Sequence, residues 1–230
     1  MGSLFGAMLS SVSDVYLIDP FEAHVQAINK NGLIIEKSGN VSETYYISAT
    51  TDPNRVNAEI DLAIIFTKSY KTEAAAEIAK PLLGQKGLAL TLQNGLGNVE
   101  VMAKVLGKER VVAGVTSHGG TLLEPGRMRH AGQGPTYIAD SPGNSPLLKQ
   151  IVETFKAGEI DVSLSENLDS LIWGKLVINV GINALAATLR VPNGVLSVTP
   201  ACEKIMAGAV SEAVAVVNAL GIKLPYSNPL

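Results

Sequence analysis

The sequence predicts an α/β chain: a mostly parallel sheet flanked by helices over residues 1–165, then an all-helical segment over 166–230. Three observations predict it. Short apolar runs alternate with amphipathic stretches from Met1 to Val115, the order that builds a parallel sheet. Beyond Ser165 the strand-like runs give way to two long helical segments. With 47% hydrophobic and 17% charged residues over 230 positions, the chain also has ample apolar mass for such a core.

Residues 1–9 read as a helix already under way, with small and apolar side chains at three-to-four spacing and no capping residue or strand before it. A strand follows at 15–18, closed by Asp19-Pro20, then an amphipathic helix over 22–29 that stops at Asn31-Gly32. This is an αβα order without its first strand, so truncation of the chain at both ends is expected. Residues 61–66 form a continuous apolar run suited to a strand buried on both faces, and 72–80 a helix stopped by Pro81. The strand pattern repeats at 87–92 and 111–115 around a helix near 99–106. Between 116 and 139, Gly119-Gly120, Pro125-Gly126 and Gly132-Gln133-Gly134-Pro135 punctuate short segments, which suits an antiparallel extension of the same sheet.

A helix over 145–155 and a strand over 160–164 complete the first domain. Two helices, 168–189 and 201–220, make the second. At about 65 residues, the second domain is near the size at which a helical pair needs another element or a partner to cover its apolar faces. A second copy, as a homodimer, is one such partner. The tail Leu224-Pro225-Tyr226-Ser227-Asn228-Pro229-Leu230 is not expected to supply the cover.

Charge and composition exclude several functions. Lys+Arg number 18 against Asp+Glu 21, a net charge of −3 with no basic patch, which argues against nucleic acid as a partner. Apolar runs such as Leu62-Ala63-Ile64-Ile65-Phe66 fall short of the ~20 residues that span a bilayer, so no membrane partner is expected. Cys202, the one cysteine, forms no internal disulfide, and His24, His118 and His130 are too scattered for a metal site. A cytoplasmic, metal-free protein is the expectation.

Four groups of residues carry candidate chemistry. Gly2 begins the first helix, where a glycine lets a helix N-terminus approach a pyrophosphate; simple helix packing is the alternative. Asp19 ends the next strand, the position at which a carboxylate bonds an adenosine ribose hydroxyl, or else caps the following turn. Lys68, in Thr67-Lys68-Ser69, and Asn94, in Gln93-Asn94-Gly95-Leu96-Gly97, each follow a buried strand at its carboxyl end, where ligands of open parallel sheets collect. A surface lysine and a plain Asn-Gly turn remain open for them. Lys175, Asn179 and Asn183 fall at i, i+4 and i+8 of a helix otherwise apolar or glycine, forming one polar stripe. A helix so hydrophobic is expected to be buried, and burying an ammonium and two amides unpartnered is costly, so the stripe is expected to face a polar cleft or an interhelical hydrogen-bond network. Pro192-Asn193-Gly194 reads as a structural turn.

Taken in order, Met1-Gly2-Ser3-Leu4-Phe5-Gly6, Thr67-Lys68-Ser69-Tyr70, Gln93-Asn94-Gly95-Leu96-Gly97-Asn98, Trp173-Gly174-Lys175-Leu176 with Asn179 and Asn183, and Pro192-Asn193-Gly194 make the chain resemble the ketopantoate reductase (2-dehydropantoate 2-reductase) family over essentially its whole length. The resemblance implies a Rossmann-like domain over 1–165 whose first strand is missing. It also implies a helical substrate and dimerisation domain over 166–230, of the 6-phosphogluconate dehydrogenase C-terminal type, whose last part is missing. The implied reaction is hydride transfer from a nicotinamide cofactor to the C2 ketone of the 2-oxo acid ketopantoate, giving pantoate in the branch that leads to pantothenate and coenzyme A. In it Lys175 is the general acid, Asn94, Asn179 and Asn183 bind substrate, and Gly2, Asp19, Lys68 and Asn94 bind cofactor. NADP is the family default, whereas the Asp19 carboxylate repels a 2′-phosphate and opens the way to NAD. A related β-hydroxyacid dehydrogenase and a non-catalytic nucleotide-binding remnant are the competing expectations.

Overall fold

A computed structural model of the chain describes residues 1–139 and 145–227. They form two compact units, one of Met1–Gln93 with Gly97–Glu166 and one of Asn94–Leu96 with Asn167–Leu230.

The first unit is built on β5 (Ile60–Ile65), β6 (Leu83–Thr91) and β7 (Val111–Thr116), which run parallel, with Ile64 opposite Leu90 and Leu90 opposite Val112. Strand β10 (Thr136–Ala139) adds antiparallel to β7, and β11 (Val162–Ser165) adds parallel to β10. Period-two alternation in β6 explains why the sheet is buried on both faces. Leu88 and Leu90 point into a core with Phe5 and Leu9 of α1 (Gly2–Leu9) and with Leu148, Ile151 and Phe155 of α5 (Ser145–Ala157). Ala89 points the other way, into a core with Ala76 and Ala79 of α3 (Thr72–Ala79) and Met102 and Leu106 of α4 (Asn98–Leu106).

Strand β1 (Tyr16–Ile18) pairs parallel with β4 (Ser48–Thr50), and α2 (Glu22–Asn31) lies between them in the chain. Here the structure corrects the expectation for residues 116–139. Only β10 extends the main sheet. The hairpin of β8 (Gly119–Glu124) and β9 (Arg127–Gly132) belongs to a separate four-stranded sheet, where β9 runs parallel to β2 (Leu33–Lys37) and β2 antiparallel to β3 (Val41–Tyr45). Side-chain alternation accounts for it: Met128, 3% exposed between Arg127 and Arg129, joins Leu33, Ile35, Leu4, Val25 and Ile28 in a second core beneath α1. On the opposite face, Glu36 receives both guanidiniums, with Arg127 Nη2 at 2.6 Å and Arg129 Nη2 at 3.0 Å.

The second unit contains α6 (Leu168–Leu189), α7 (Asn193–Leu196) and α8 (Pro200–Ala219). Asn167 starts α6 by accepting the Ser170 amide on Oδ1 at 2.9 Å, and Arg190 ends it in the left-handed region at φ 56°. Helices α6 and α8 meet over Val177, Val210 and Val217, and Gly181 permits the approach, since a Cβ there would stand 2.9 Å from Val210 Cγ2. Three sequence expectations change. Leu224 packs on this core and the Tyr226 hydroxyl donates to the Gly174 carbonyl at 2.7 Å, so the start of the tail does cover the helices; Asn228, Pro229 and Leu230 lie outside the described residues.

Nor is α6 buried all round: Ile178 is 49% and Leu189 48% exposed, because the neighbouring elements reach only part of its circumference. At 22 residues, α6 is also the one helix among the described residues long and apolar enough to cross a membrane by length and composition, contrary to the strand-sized limit read from the sequence.

Candidate functional site

Helix α1 opens with Gly2, has no acidic residue in its first turn and has no side-chain cap at its N-terminus, so its first amides are not claimed by the helix itself. A Cβ on Gly2 would meet nothing within 4 Å. Two opposite charges flank this helix start. Burial pushes the Met1 amino group below its ordinary value, the Asp19 carboxylate acts against that shift, and the Lys68 ammonium adds to it. The Asp19 and Lys68 charges are thus both felt at the start of α1.

Asp19 follows β1, and its Oδ1 accepts the Phe21 amide at 2.8 Å, the local turn bond of an aspartate entering α2. Beneath it lies His24, 3% exposed, a residue that sequence reasoning treated only as a scattered histidine. His24 Nδ1 accepts the Gly126 amide at 2.9 Å, which leaves Nε2–H to donate to Ser3 Oγ at 3.0 Å. One imidazole therefore ties the first turn of α1 to the β8–β9 turn. Its sequence signal is the inward face it shares with Val25 and Ile28 on α2.

Because β5, β6 and β7 are parallel, the residues that follow them share the carboxyl edge of the sheet. Lys68 follows β5 and is exposed. Gln93 and Asn94 follow β6, and the loop runs on through Gly95 at φ 90° and Gly97 at φ 86°, a left-handed path that glycine takes without strain. An added Cβ at either glycine would meet nothing within 4 Å.

Gln93 binds this loop to the one that carries Lys68: its Nε2 donates to the Thr67 carbonyl at 2.6 Å and to Thr72 Oγ1 at 3.0 Å. His118 follows β7, with Nδ1 2.9 Å from His130 Nε2, while its own buried Nε2 has no hydrogen-bond partner among the described residues. Neither Gln93 nor this histidine pair was assigned chemistry from the sequence. The His118–His130 pair spans 12 positions and the bonds of Gln93 to Thr67 and Thr72 span more than 20, so no local spacing reveals them.

On α6, unbroken helical geometry sets Lys175, Asn179 and Asn183 along one face. The burial expected for them holds only in part. Burial pushes the Lys175 ammonium below the ordinary lysine value, whereas Asn179 is half-buried and Asn183 is exposed. Of the three, only the lysine carries a charge whose burial is opposed by lost hydration. Asn193 opens α7 directly behind Pro192. Among the described residues no group of three or more His, Cys, Asp or Glu side chains could hold a metal ion.

Residues 1–143 match the family described as Ketopantoate reductase PanE/ApbA, and residues 167–229 match Ketopantoate reductase PanE/ApbA C terminal. A curated 2-dehydropantoate 2-reductase of Halobacterium salinarum is 34% identical over 232 residues, covering 99% of this chain and 75% of that relative. A PanE/ApbA family ketopantoate reductase from Ralstonia eutropha superposes with a TM-score of 0.83 at 33% identity, over 96% of this chain and 72% of that one. The ternary structure of D-mandelate dehydrogenase with NADH and anilino(oxo)acetate gives a TM-score of 0.88 at 26% identity, over 98% of this chain and 73% of that one. Since the two family matches together take in residues 1–143 and 167–229, most of its length, the chain belongs to the ketopantoate reductase PanE/ApbA family.

Proposed function

We propose that the chain reduces 2-dehydropantoate to pantoate with a nicotinamide cofactor, the step that feeds pantothenate and coenzyme A synthesis. The observation that carries the reading is Lys175: a half-buried ammonium pushed below the ordinary lysine value, heading a stripe of carboxamides, in a chain 34% identical to a curated 2-dehydropantoate 2-reductase. Reducing a ketone requires a proton on its oxygen as well as a hydride on its carbon. A nicotinamide cofactor supplies the hydride when bound.

Lys175 Nζ donates the proton to the C2 oxygen, and its charge stabilises the alkoxide while that charge develops. Lowering the ammonium pKa makes it a better acid at neutral pH. Asn179 and Asn183, one and two turns further along, hold the substrate hydroxyl and carboxylate. The Asn94 carboxamide orients both substrate and nicotinamide.

The residues around α1 suit the rest of the cofactor. The uncapped amides at Gly2 suit a pyrophosphate, with Lys68 adding a positive charge beside them. Asp19 retains a second carboxylate oxygen for a ribose hydroxyl, and its charge favours NADH over NADPH, against the family default. A homodimer belongs to the same reading, supported by exposed apolar residues such as Ile178 on α6 and Ile205 on α8, and so does a cytoplasmic location.

A second reading, reduction of a different 2-oxo acid, draws support from the TM-score of 0.88 to D-mandelate dehydrogenase. The same lysine and amide stripe serves either substrate. Oxidation of NADH and NADPH, followed at the nicotinamide absorbance with 2-dehydropantoate and with the 2-oxo acid of mandelate, separates them. Higher kcat/KM for 2-dehydropantoate supports the first reading, and the reverse order the second. Turnover of neither indicates a non-catalytic nucleotide-binding protein.

A further inference from the structure

Gln93 has no role in the reaction proposed above, yet its side chain makes hydrogen bonds to the loop that carries Lys68 and to the end of the strand that leads to Asn94. Its Nε2 donates to the Thr67 carbonyl at 2.6 Å, immediately before Lys68. The same Nε2 donates at 3.0 Å to Thr72 Oγ1, whose hydroxyl proton goes on to Asn98 Oδ1 at 3.0 Å. Its Oε1 accepts from Thr91 Oγ1 at 3.0 Å, and Thr91 Oγ1 in turn accepts the Gln93 amide at 3.2 Å. Donors and acceptors match throughout this chain of groups, and Thr72, Thr91 and Asn98 are all at least nine-tenths buried.

The network joins the end of β5, the start of α3, the end of β6 and the start of α4. Asn94 follows Gln93 directly, and Gly95 and Gly97 beyond it take left-handed φ values of 90° and 86°. An amide that must meet a ligand is best placed by a fixed anchor next to it, and Gln93 is the residue before Asn94.

We propose that Gln93 is a positioning residue: by clamping the Thr67–Lys68 backbone to the Thr72–Asn98 hydroxyl–amide pair, it fixes the end of β6, from which Asn94 extends, against the loop that carries Lys68. The proposal rests on the assignment of Asn94 and Lys68 to the cofactor and substrate site. Gln93 itself touches neither ligand. Replacing it with leucine keeps its bulk but leaves the Thr67 carbonyl and the Thr72 and Thr91 hydroxyls each short of a partner.

Two measurements on the full chain test it. Amide hydrogen exchange reads the clamp without turnover. Gln93→Leu and Thr72→Val are expected to speed exchange in residues 67–72 and 93–98 together, while Thr72→Ser, which keeps the hydroxyl, restores the parental pattern. Unchanged exchange in both segments overturns the clamp whatever the enzyme does.

A double-mutant cycle reads the positioning. Gln93→Leu is expected to lower kcat with 2-dehydropantoate by about tenfold in the parental chain but by less than about twofold on an Asn94→Ala background, because both changes remove one coupled function. An equal loss in both backgrounds overturns the positioning role and leaves Gln93 a stability residue. If the parental chain turns over no 2-oxo acid, it is the functional reading that fails, and the exchange result still decides the clamp.

Discussion

His24 Nδ1 accepts the backbone amide of Gly126 at 2.9 Å, across 102 positions of sequence, and this bond dictates which way the imidazole proton points. With Nδ1 committed as an acceptor, Nε2 carries the hydrogen toward Ser3 in the first turn of α1. Helix α1 begins with Gly2, where the Asp19 and Lys68 charges are both felt, so a buried histidine tethers the proposed cofactor end.

Replacing His24 with leucine leaves the Gly126 amide buried without its acceptor. The expected cost is about 1–3 kcal/mol of stability, read as a lower urea midpoint at unchanged m-value. Binding of the cofactor is expected to weaken as well, because the first turn of α1 loses its tether. An unchanged midpoint contradicts the role given to this imidazole.

Acid is expected to destabilise the fold through all three histidines. Burial pushes His24, His118 and His130 below the usual 6.5, with the Asp19 and Asp161 carboxylates only partly opposing it at His24 and His118. Near that pH the unfolded chain therefore binds more protons than the folded one, so the stability these groups contribute is present above 6.5 and lost as pH falls through their lowered values. Urea midpoints are expected to drop from pH 7.5 to 5.5, and replacing both His118 and His130 with glutamine to flatten the slope. A midpoint that rises on acidification contradicts the argument.

The regular alternation of helix and strand was legible in the sequence because strong local periodicity fixes it: α1, β5, α3, α4, β7, α6 and α8 lie within a residue or so of where apolar spacing puts them, while β6 begins at Leu83, four residues before the apolar run at 87–92. Strands β2, β3 and β4 were not. Strand β3 alternates Ser42, Thr44 and other exposed positions with no apolar run, and β2 finds β9 as its neighbour some 90 positions away, with Glu36 held by Arg127 and Arg129. The stripe of Lys175, Asn179 and Asn183 was legible because three residues at helical spacing need only a helix to align. The Gln93 network, the His24 tether and the His118–His130 pair were not, since each is assembled by tertiary contact. Overestimating the burial of α6 has a related cause: hydrophobicity tells what a helix could bury, whereas the number of neighbouring elements decides what it does bury.

Asp19→Asn is expected to narrow the preference for NADH over NADPH, by roughly tenfold in the ratio of kcat/KM values, because the change removes like-charge repulsion of a 2′-phosphate. The substituted amide still accepts the Phe21 amide, so the turn into α2 persists and the readout reports charge. A ratio that does not move removes Asp19 from the ribose end of the site.

The pH profile should carry the signature of Lys175. Its ammonium is the acid form, and burial lowers the pH at which that form is lost, so the basic limb of kcat is expected to fall off below the ordinary lysine value of 10.5. Lysine 175 replaced by arginine, which keeps its charge at every accessible pH but is a far weaker acid, is expected to abolish that limb along with most of the activity. A limb that persists in Lys175→Arg assigns it to another group.

The most direct test of the central claim compares kcat for 2-dehydropantoate reduction in the parental chain and in Lys175→Ala, with the dissociation constant of the cofactor measured on both by fluorescence. A general acid on α6 predicts a loss of about 10²–10⁴-fold in kcat with cofactor affinity little changed. Near-parental kcat in Lys175→Ala contradicts it.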